Sequence, residues 1–453
     1  MPPVSKTVFV CQQCAYKSPK WIGKCPSCGA WNSFSEEIVL KKTDLHQHSG
    51  NITDSELIDL ADVNPLDCER IILPFVEFNR VLGGGLVKGS VLLLGGEPGV
   101  GKSTLMLQTA LQLDGLKILY VSGEESPGQI RLRASRFVKG SSEILLYSGT
   151  IAENIIAAAE KIKPDIVVVD SIQTVYTDQN PGSPGTVGQI RACAQLLQRF
   201  AKQSLTPVIL IGHITREGNI AGPMALEHIV DVVLQFEGDN NHYYRLLRTK
   251  KNRFGSASEL GVFEMDQKGL IEVNDPGNIL LPDDYEGASG TAITAMNEGS
   301  RTLMIEVQAL AGNSVYSSPQ RITTGFDTRR LHMIIAVLEK RMGYRLGQKD
   351  IFLNIAGGIR LTDPAADLAV LTAILSSLTD IAVDASSCFI GEISLSGQVR
   401  PVSNIQMRIS EVIKLGFKKV YLSKYQQHLD TNINISVERI SGIKEVAKKV
   451  FSA

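Results

Sequence analysis

"SVLLLGGEPGVGKSTLMLQTALQL", residues Ser90 to Leu113, decides the fold of this chain. It opens on a short, wholly apolar run of the kind buried as a central parallel strand. It passes through Gly96-Glu97-Pro98-Gly99-Val100-Gly101-Lys102-Ser103, a complete G-x4-G-K-S, and ends in a helical pattern. Strand, glycine loop and helix in that order predict a P-loop. The glycines turn backbone N–H groups toward phosphate, and the helix N-terminus adds its dipole. The expected nucleotide-binding residues are Gly96, Glu97, Pro98, Gly99, Val100, Gly101, Lys102, Ser103 and Thr104. Lys102 is expected on the β- and γ-phosphates of ATP, and Ser103 on Mg2+.

Further strands belong to the same domain. "KILYVSGEES" reads as a second buried strand leading to Glu124 and Glu125, and "PDIVVVDSIQT" as a third ending in Asp170. Ligands of open α/β sheets sit at the C-terminal ends of the strands, so these carboxylates are expected beside the P-loop. Asp170 suits a Walker B carboxylate orienting Mg2+ or its water. Glu124 is the first choice to polarise the attacking water and Glu125 the second, each with a helix N-cap acid as its rival. A fourth strand, "TPVILIGHIT", ends at His213, read either as a sensor of the γ-phosphate or as a hydrogen-bonded core histidine. Two glycine-rich stretches, "TDQNPGSPGTVGQIR" and "TREGNIAGPMALEH", follow the third and fourth strands. They are long for connections in a compact domain. They read equally as surface loops or as loops that line the centre of a ring and offer Arg191 and Arg216 to a phosphate backbone.

Outward from this core, length and composition set limits. The chain has 453 residues and a formal net charge of -1, which predicts two or three domains and argues against coating nucleic acid by global attraction. No apolar run is long enough for a bilayer, and the N-terminus lacks the apolar core of a signal peptide, so a cytoplasmic protein with no membrane partner is expected. Four of the seven cysteines form "CQQC" and "CPSC", Cys11, Cys14, Cys25 and Cys28, separated by ten residues. Four thiolates so spaced predict a structural Zn2+ site; two disulfides or an iron–sulfur cluster are the rivals. Trp21 and Trp31 flank the second pair and are expected to pack on this small core. Residues 36–65 read as a linker, with His46 and His48 among its polar residues.

"LLRTKKNRFGSA", Leu246 to Ala257, places Arg248, Lys250, Lys251 and Arg253 close together after "HIVDVVLQFEGDNNHYYRLLRT", which reads as two strands joined by a polar hairpin. On extended backbone Lys251 and Arg253 share a side, with Asn252 and Phe254 opposite and Gly255 allowing a sharp exit.

"GGEPGVGKSTL", "YVSGEES", "DSIQT", "GHITREGNIAGP" with "LEHIVD", and "TKKNRFG", together with the four-cysteine motif, resemble the RadA (Sms) family of bacterial DNA repair proteins over nearly the whole chain. The resemblance implies a RecA-like ATPase core similar to DnaB-type helicases, a homo-hexamer, and an ATP-driven motor on single-stranded DNA. It also implies action on branched DNA, with branch migration promoted alongside the RecA recombinase, and RecA as a partner of the zinc module. In such a ring Lys251 and Arg253 are expected to reach a neighbour's nucleotide and act in catalysis with Lys102 and Glu124, Arg253 as an arginine finger. A KaiC-like signalling ATPase, which shares the core and the double glutamate, is the alternative.

The C-terminal third, with "FLNIAGGIRLTDPAADLAVLTAILSS" and "FIGEISLSGQVRPVSN", looks like the proteolytic domain of Lon-type proteases. Where that motif places its serine the chain reads Pro364-Ala365-Ala366, and the lysine position falls near Gln406. No nucleophile or base remains, so peptidase activity is not expected. From Arg321 to Lys349, seven cations (Arg321, Arg329, Arg330, Lys340, Arg341, Arg345, Lys349) stand against Asp327 and Glu339, either a DNA-facing surplus or a solvated helix face. The expected organisation is α/β: a zinc ribbon or knuckle over 1–35, the linker 36–65, a RecA-like P-loop ATPase domain over 66–275, and an α+β Lon protease-like domain lacking the Ser-Lys dyad over 278–453.

Overall fold

The computed structural model describes residues 5–11, 16–40, 69–137, 140–213, 226–238, 244–273, 277, 281, 288–314, 318–356, 360–427, 429 and 434–451. Its contacts divide the chain into Met1–Glu272 and Val273–Ala453.

Strands β1 (Ser5–Cys11), β2 (Lys17–Ser18) and β3 (Phe34–Leu40) form an antiparallel sheet in the order β2-β1-β3. Its core is small: Cys11, Cys25 and Phe34 are buried, with Phe9, Ile22 and Cys28 against them. Trp21 and Trp31 do not join it, contrary to expectation, and are 52% and 70% exposed. The apolar contacts of that core come from Phe34, Phe9 and Ile22 instead. β3 runs to Leu40, into the segment expected as linker, because its residues pair along the full length of β1. The remainder of that segment, with His46 and His48, lies outside the described residues.

The next part opens with a small ribbon of β4 (Arg70–Ile71) and β5 (Leu86–Val87) around helix α1 (Val76–Leu82). The main sheet follows: β6 (Val91–Gly96), α2 (Lys102–Gln112), β7 (Lys117–Ser122), α3 (Pro127–Ala134), β8 (Glu143–Tyr147), α4 (Ala152–Ile162), β9 (Ile166–Asp170), α5 (Val187–Ser204), β10 (Val208–His213), β11 (Val232–Glu237), β12 (Tyr244–Asn252), β13 (Leu260–Asp266) and β14 (Gly269–Glu272). The nine strands lie in the order β14-β13-β12-β11-β6-β10-β9-β7-β8. β8, β7, β9, β10, β6 and β11 are parallel to their neighbours, and β12 to β14 extend the sheet antiparallel. This is the RecA-like P-loop arrangement expected. Alternation along β6 sends Leu92 and Leu94 to one core, with Leu105 and Met106 of α2. Val91 and Leu93 go to the other, with Ile155 of α4 and Leu197 of α5. A strand buried on both faces therefore reads as one unbroken apolar run.

Two local boundaries differ from the sequence reading. β7 stops at Ser122, so Glu124 lies in the loop beyond it. The last part of "TDQNPGSPGTVGQIR" is already helix α5, which carries Arg191. Residues 214–225, with Arg216, lie outside the described residues.

Val273–Ala453 is α+β. Its strands are β15 (Thr291–Glu298), β16 (Arg301–Asn313), β17 (Arg321–Thr324), β18 (Lys349–Ile355), β19 (Ser387–Ile390), β20 (Glu392–Ile393), β21 (Val399–Arg400), β22 (Lys419–Ser423) and β23 (Ser436–Ile440). Its helices are α6 (Thr328–Met342), α7 (Asp367–Thr379), α8 (Ile405–Lys414) and α9 (Ile443–Phe451). A mixed seven-stranded sheet runs β17-β18-β16-β15-β19-β22-β23. Helix α7, apolar on nearly every face, is buried from Asp367 to Ser376.

Candidate functional site

The P-loop leaves the buried end of β6 and enters α2 through backbone that only glycine adopts easily. Gly99 and Gly101 have φ of +81° and +111°. A Cβ on Gly96 would lie 2.5 Å from the Phe236 carbonyl oxygen, so that position is closed to any side chain. Glu97, Pro98 and Gly99 are exposed at the crest, Val100 is buried, and Ser103 and Thr104 are half-buried on the first turn of α2. Lys102 is 3% exposed. Its Nζ donates to the carbonyls of Gly96 at 2.8 Å and Glu97 at 2.9 Å. Burial lowers the Lys102 ammonium to about 8, against the opposing pull of Asp170, Glu124 and Glu97.

The carboxylates come to the same sheet edge because β9, β10 and β6 are adjacent and parallel. His213 at the tip of β10 places Nδ1 3.3 Å from Lys102 Nζ and Nε2 3.7 Å from a Glu124 carboxylate oxygen. The Ser171 hydroxyl donates to that same Glu124 oxygen at 2.6 Å. Asp170 accepts from the Tyr120 hydroxyl at 2.8 Å. Tyr120 is fully buried, which pushes its phenol well above its ordinary range, and the Asp170 charge adds to this. Glu125 turns away: its carboxylate pairs with Arg133 at 2.7 Å, and its backbone N–H binds Ser122. Of the two glutamates, Glu124 faces the loop. Tyr120 and Ser171 escaped the sequence reading. Ser171 directly follows Asp170, so its position in "DSIQT" was the available signal.

Lys251 and Arg253 lie at the other end of the sheet. β12 runs antiparallel to β11, so its last residue, Asn252, pairs with Val232 at the start of β11. Lys251 donates to the carbonyls of Glu227 and, at 2.9 Å, Val230. Arg253 reaches Asp231 Oδ1 at 3.4 Å. Asp231 also accepts from Val91 N–H at 3.0 Å and Lys202 at 2.9 Å. The length of β6 separates this cluster from the P-loop of the same chain, about 15–20 Å. Lys251 and Arg253 do share a side, whereas Asn252 donates to the Val81 carbonyl of α1 and Phe254 packs against the core. Gly255 has no left-handed φ. Its lack of a side chain instead permits close approach to Gly83, whose Cα a Cβ would meet at 3.1 Å. Lys250 is the extra residue of a bulge opposite Val233 and Leu234. Arg248 and Lys250 both face Glu237, at 3.4 Å and 4.0 Å.

In the ribbon, the sulfurs of Cys11, Cys25 and Cys28 lie within 4.8 Å of one another, with Cys11 and Cys28 3.7 Å apart. A tetrahedral zinc with Zn–S bonds of about 2.3 Å spaces its sulfurs by about 3.8 Å, so these three fit the ion. Cys14, the expected fourth ligand, lies outside the described residues.

In the C-terminal unit Ala365 and Ala366 are buried in a short 3-10 turn and Gln406 is exposed. The buried cation there is Arg408, which donates to Asp363 at 2.6 Å and to the Ser403 carbonyl at 3.1 Å. Part of the basic run is structural. Arg330 forks onto Asp367 at 2.5 and 2.7 Å, Arg321 binds the Leu346 carbonyl at 2.7 Å, and Lys349 binds Asn313 at 3.1 Å. Arg329, Lys340, Arg341 and Arg345 remain exposed.

Comparison with known families matches residues 9–36 to the rubredoxin metal binding domain, 61–219 to the AAA domain and 295–426 to subunit ChlI of Mg-chelatase. Proteins called DNA repair protein RadA align over nearly the full length. That of Bacillus subtilis (strain 168) is 45% identical over 92% of each chain. That of Streptococcus pyogenes serotype M6 is 44% identical over 99% of each. That of Rickettsia conorii is 44% identical over 98% of this chain and 100% of its own. Among solved structures, a KaiC-like protein from Pyrococcus horikoshii OT3 is 19% identical with a TM-score of 0.37, covering 46% of this chain and 99% of its own. The RadB recombinase is 22% identical with a TM-score of 0.35, covering 44% and 97%.

Proposed function

As the chain belongs to the RadA family of DNA repair proteins, we propose that it is a DNA-dependent ATPase of the DnaB helicase type that moves along single-stranded DNA as a homo-hexamer. In this reading it promotes branch migration of recombination intermediates with RecA. ATP binds over residues Gly96 to Thr104, with Mg2+ held by Ser103 and by Asp170 directly or through water. Glu124 orients the attacking water, and His213, between Lys102 and Glu124, senses the γ-phosphate.

The observation that carries the proposal is the division of cations over one sheet. Lys102 stands at the P-loop edge, Lys251 and Arg253 at the opposite edge, out of reach of their own nucleotide. They can serve ATP only on a neighbour, as in a ring. Mixing subunits tests this. Lys102→Ala and Arg253→Ala each abolish DNA-stimulated turnover alone. Mixed, they regain part of it, since some interfaces join an intact P-loop to an intact arginine. No recovery on mixing sinks the trans assignment, and no stimulation of the wild type by single-stranded DNA sinks the motor.

A further inference from the structure

The two tryptophans expelled from the ribbon core stand together. A Cβ built on Gly23 would lie 3.8 Å from Trp21 Cη2 and 3.9 Å from Trp31 Cζ3, so both indoles come within van der Waals reach of one point. They are the only tryptophans in the chain. Tyr16 is also exposed in this module. The Lys24 ammonium lies 5.5 Å from the centre of the Trp31 ring, and Lys20 is exposed beside Trp21 in sequence. Residues 16–35 contain three lysines, Lys17, Lys20 and Lys24, and no acidic residue, in a chain whose net charge is -1.

An exposed indole pair costs solvation unless something covers it, and the charge beside it selects what. Flat aromatic faces with lysines beside them suit a polyanion with stackable rings. Every base offers a π-face to an indole, and its phosphate lies one side-chain length away. We propose that this face of the ribbon binds single-stranded nucleic acid, bases stacked on Trp21 and Trp31 and phosphates met by Lys20 and Lys24. The inference builds on the DNA-dependent reading above but concerns a second contact, remote in sequence from the ATPase loops.

The placement of both tryptophans makes the test direct, because emission from the full-length, zinc-loaded protein reports on this module alone. Titration with an oligodeoxythymidylate is expected to quench emission and to shield the indoles from acrylamide. Trp31→Ala, read through Trp21, weakens the emission-derived affinity by roughly 5- to 100-fold, whereas Trp31→Phe retains most of it. Lys20→Glu with Lys24→Glu flattens the dependence of log affinity on log salt by roughly 1 to 1.5. DNA-free ATP turnover stays unchanged in all of them. If the oligonucleotide stimulates ATP turnover while emission and acrylamide access stay constant, the ribbon site is overturned and the ATPase reading stands. If emission responds without stimulation, the ribbon site stands and the motor falls. Emission that ignores the oligonucleotide and answers only to an acidic protein partner also overturns the proposal.

Discussion

The Ser171 hydroxyl and the Glu124 carboxylate are joined by a 2.6 Å hydrogen bond, across the gap between the loop after β7 and the loop after β9. A hydroxyl donating to a carboxylate fixes the direction in which the carboxylate points. The bond therefore positions the group proposed to orient water. Ser171→Ala is expected to lower kcat about tenfold, the lower range for a bond to a charged group that is half exposed. KM for ATP should move less than about twofold. Ser171→Thr keeps the hydroxyl and most of the rate. Steady-state hydrolysis beside binding of a non-hydrolysable ATP analogue separates the effects. An equal loss of affinity and rate would mean that the serine merely supports the nucleotide loop.

Lys102 gives the site a pH signature. Its ammonium is lowered to about 8 by burial, and bound polyphosphate restores the charged form by bringing anionic charge beside it. Below pH 8 the lysine is protonated with or without nucleotide, and binding moves no proton. Above pH 8 the free protein holds it neutral, so nucleotide binding must take up a proton and affinity falls as pH rises. Calorimetry at pH 8.5–9 in two buffers of different ionisation heat should show net uptake approaching one proton, absent at pH 7 and absent in Lys102→Met. pH-independent uptake contradicts this.

Asp231 separates the structural from the catalytic use of the distant cations. Its carboxylate is 2% exposed and satisfied by Val91 N–H, Lys202 and Arg253, whereas the two cations are about half exposed. Arg253→Ala removes one solvent-screened partner and should cost less than about 1 kcal/mol. Asp231→Ala leaves the buried Val91 N–H unpaired and should cost about 2–3 kcal/mol. Chemical denaturation beside ATP turnover checks the contrast. Arg253→Ala should be nearly wild type in stability yet lack DNA-stimulated turnover. Comparable losses of stability in both variants would make Arg253 a structural residue.

The central strands and the P-loop were legible because buried parallel strands and glycine loops leave short, local patterns. β6, β9 and β10 fall where their apolar runs end. The choice between Glu124 and Glu125 was not legible. Adjacent residues in a loop have no fixed alternation, and the decision rests on Arg133, eight residues away, claiming Glu125. The two tryptophans misled because large aromatics beside a cysteine pair usually signal core, while here the core is built from Phe9, Ile22 and Phe34 and both indoles are exposed. Asp231 and Arg408 were invisible for a common reason: a buried charge is defined by partners distant in sequence, such as Val91 and Asp363.

Arg408 carries the last prediction. It is 2% exposed and ties the Ala295 and Ser403 carbonyls and the Asp363 carboxylate together, while Asp363 also accepts from Asn297 N–H at 3.1 Å and Ala365 N–H at 3.0 Å. The pair thereby locks α8 to the turn where a Lon-type motif places its serine. Removing one partner of a buried, hydrogen-bonded pair leaves an uncompensated charge and costs about 3–5 kcal/mol. In a unit of this size that lowers the unfolding midpoint by roughly 10 °C. Arg408→Ala should show this by scanning calorimetry, and Arg408→Lys should rescue little, because one ammonium cannot reproduce the planar fork that reaches three oxygens. The double variant Asp363→Asn with Arg408→Met, which removes both charges, should recover part of the loss. A double variant no more stable than Arg408→Ala would show that the three oxygens need the guanidinium as a donor, and that the charge of Asp363 is secondary.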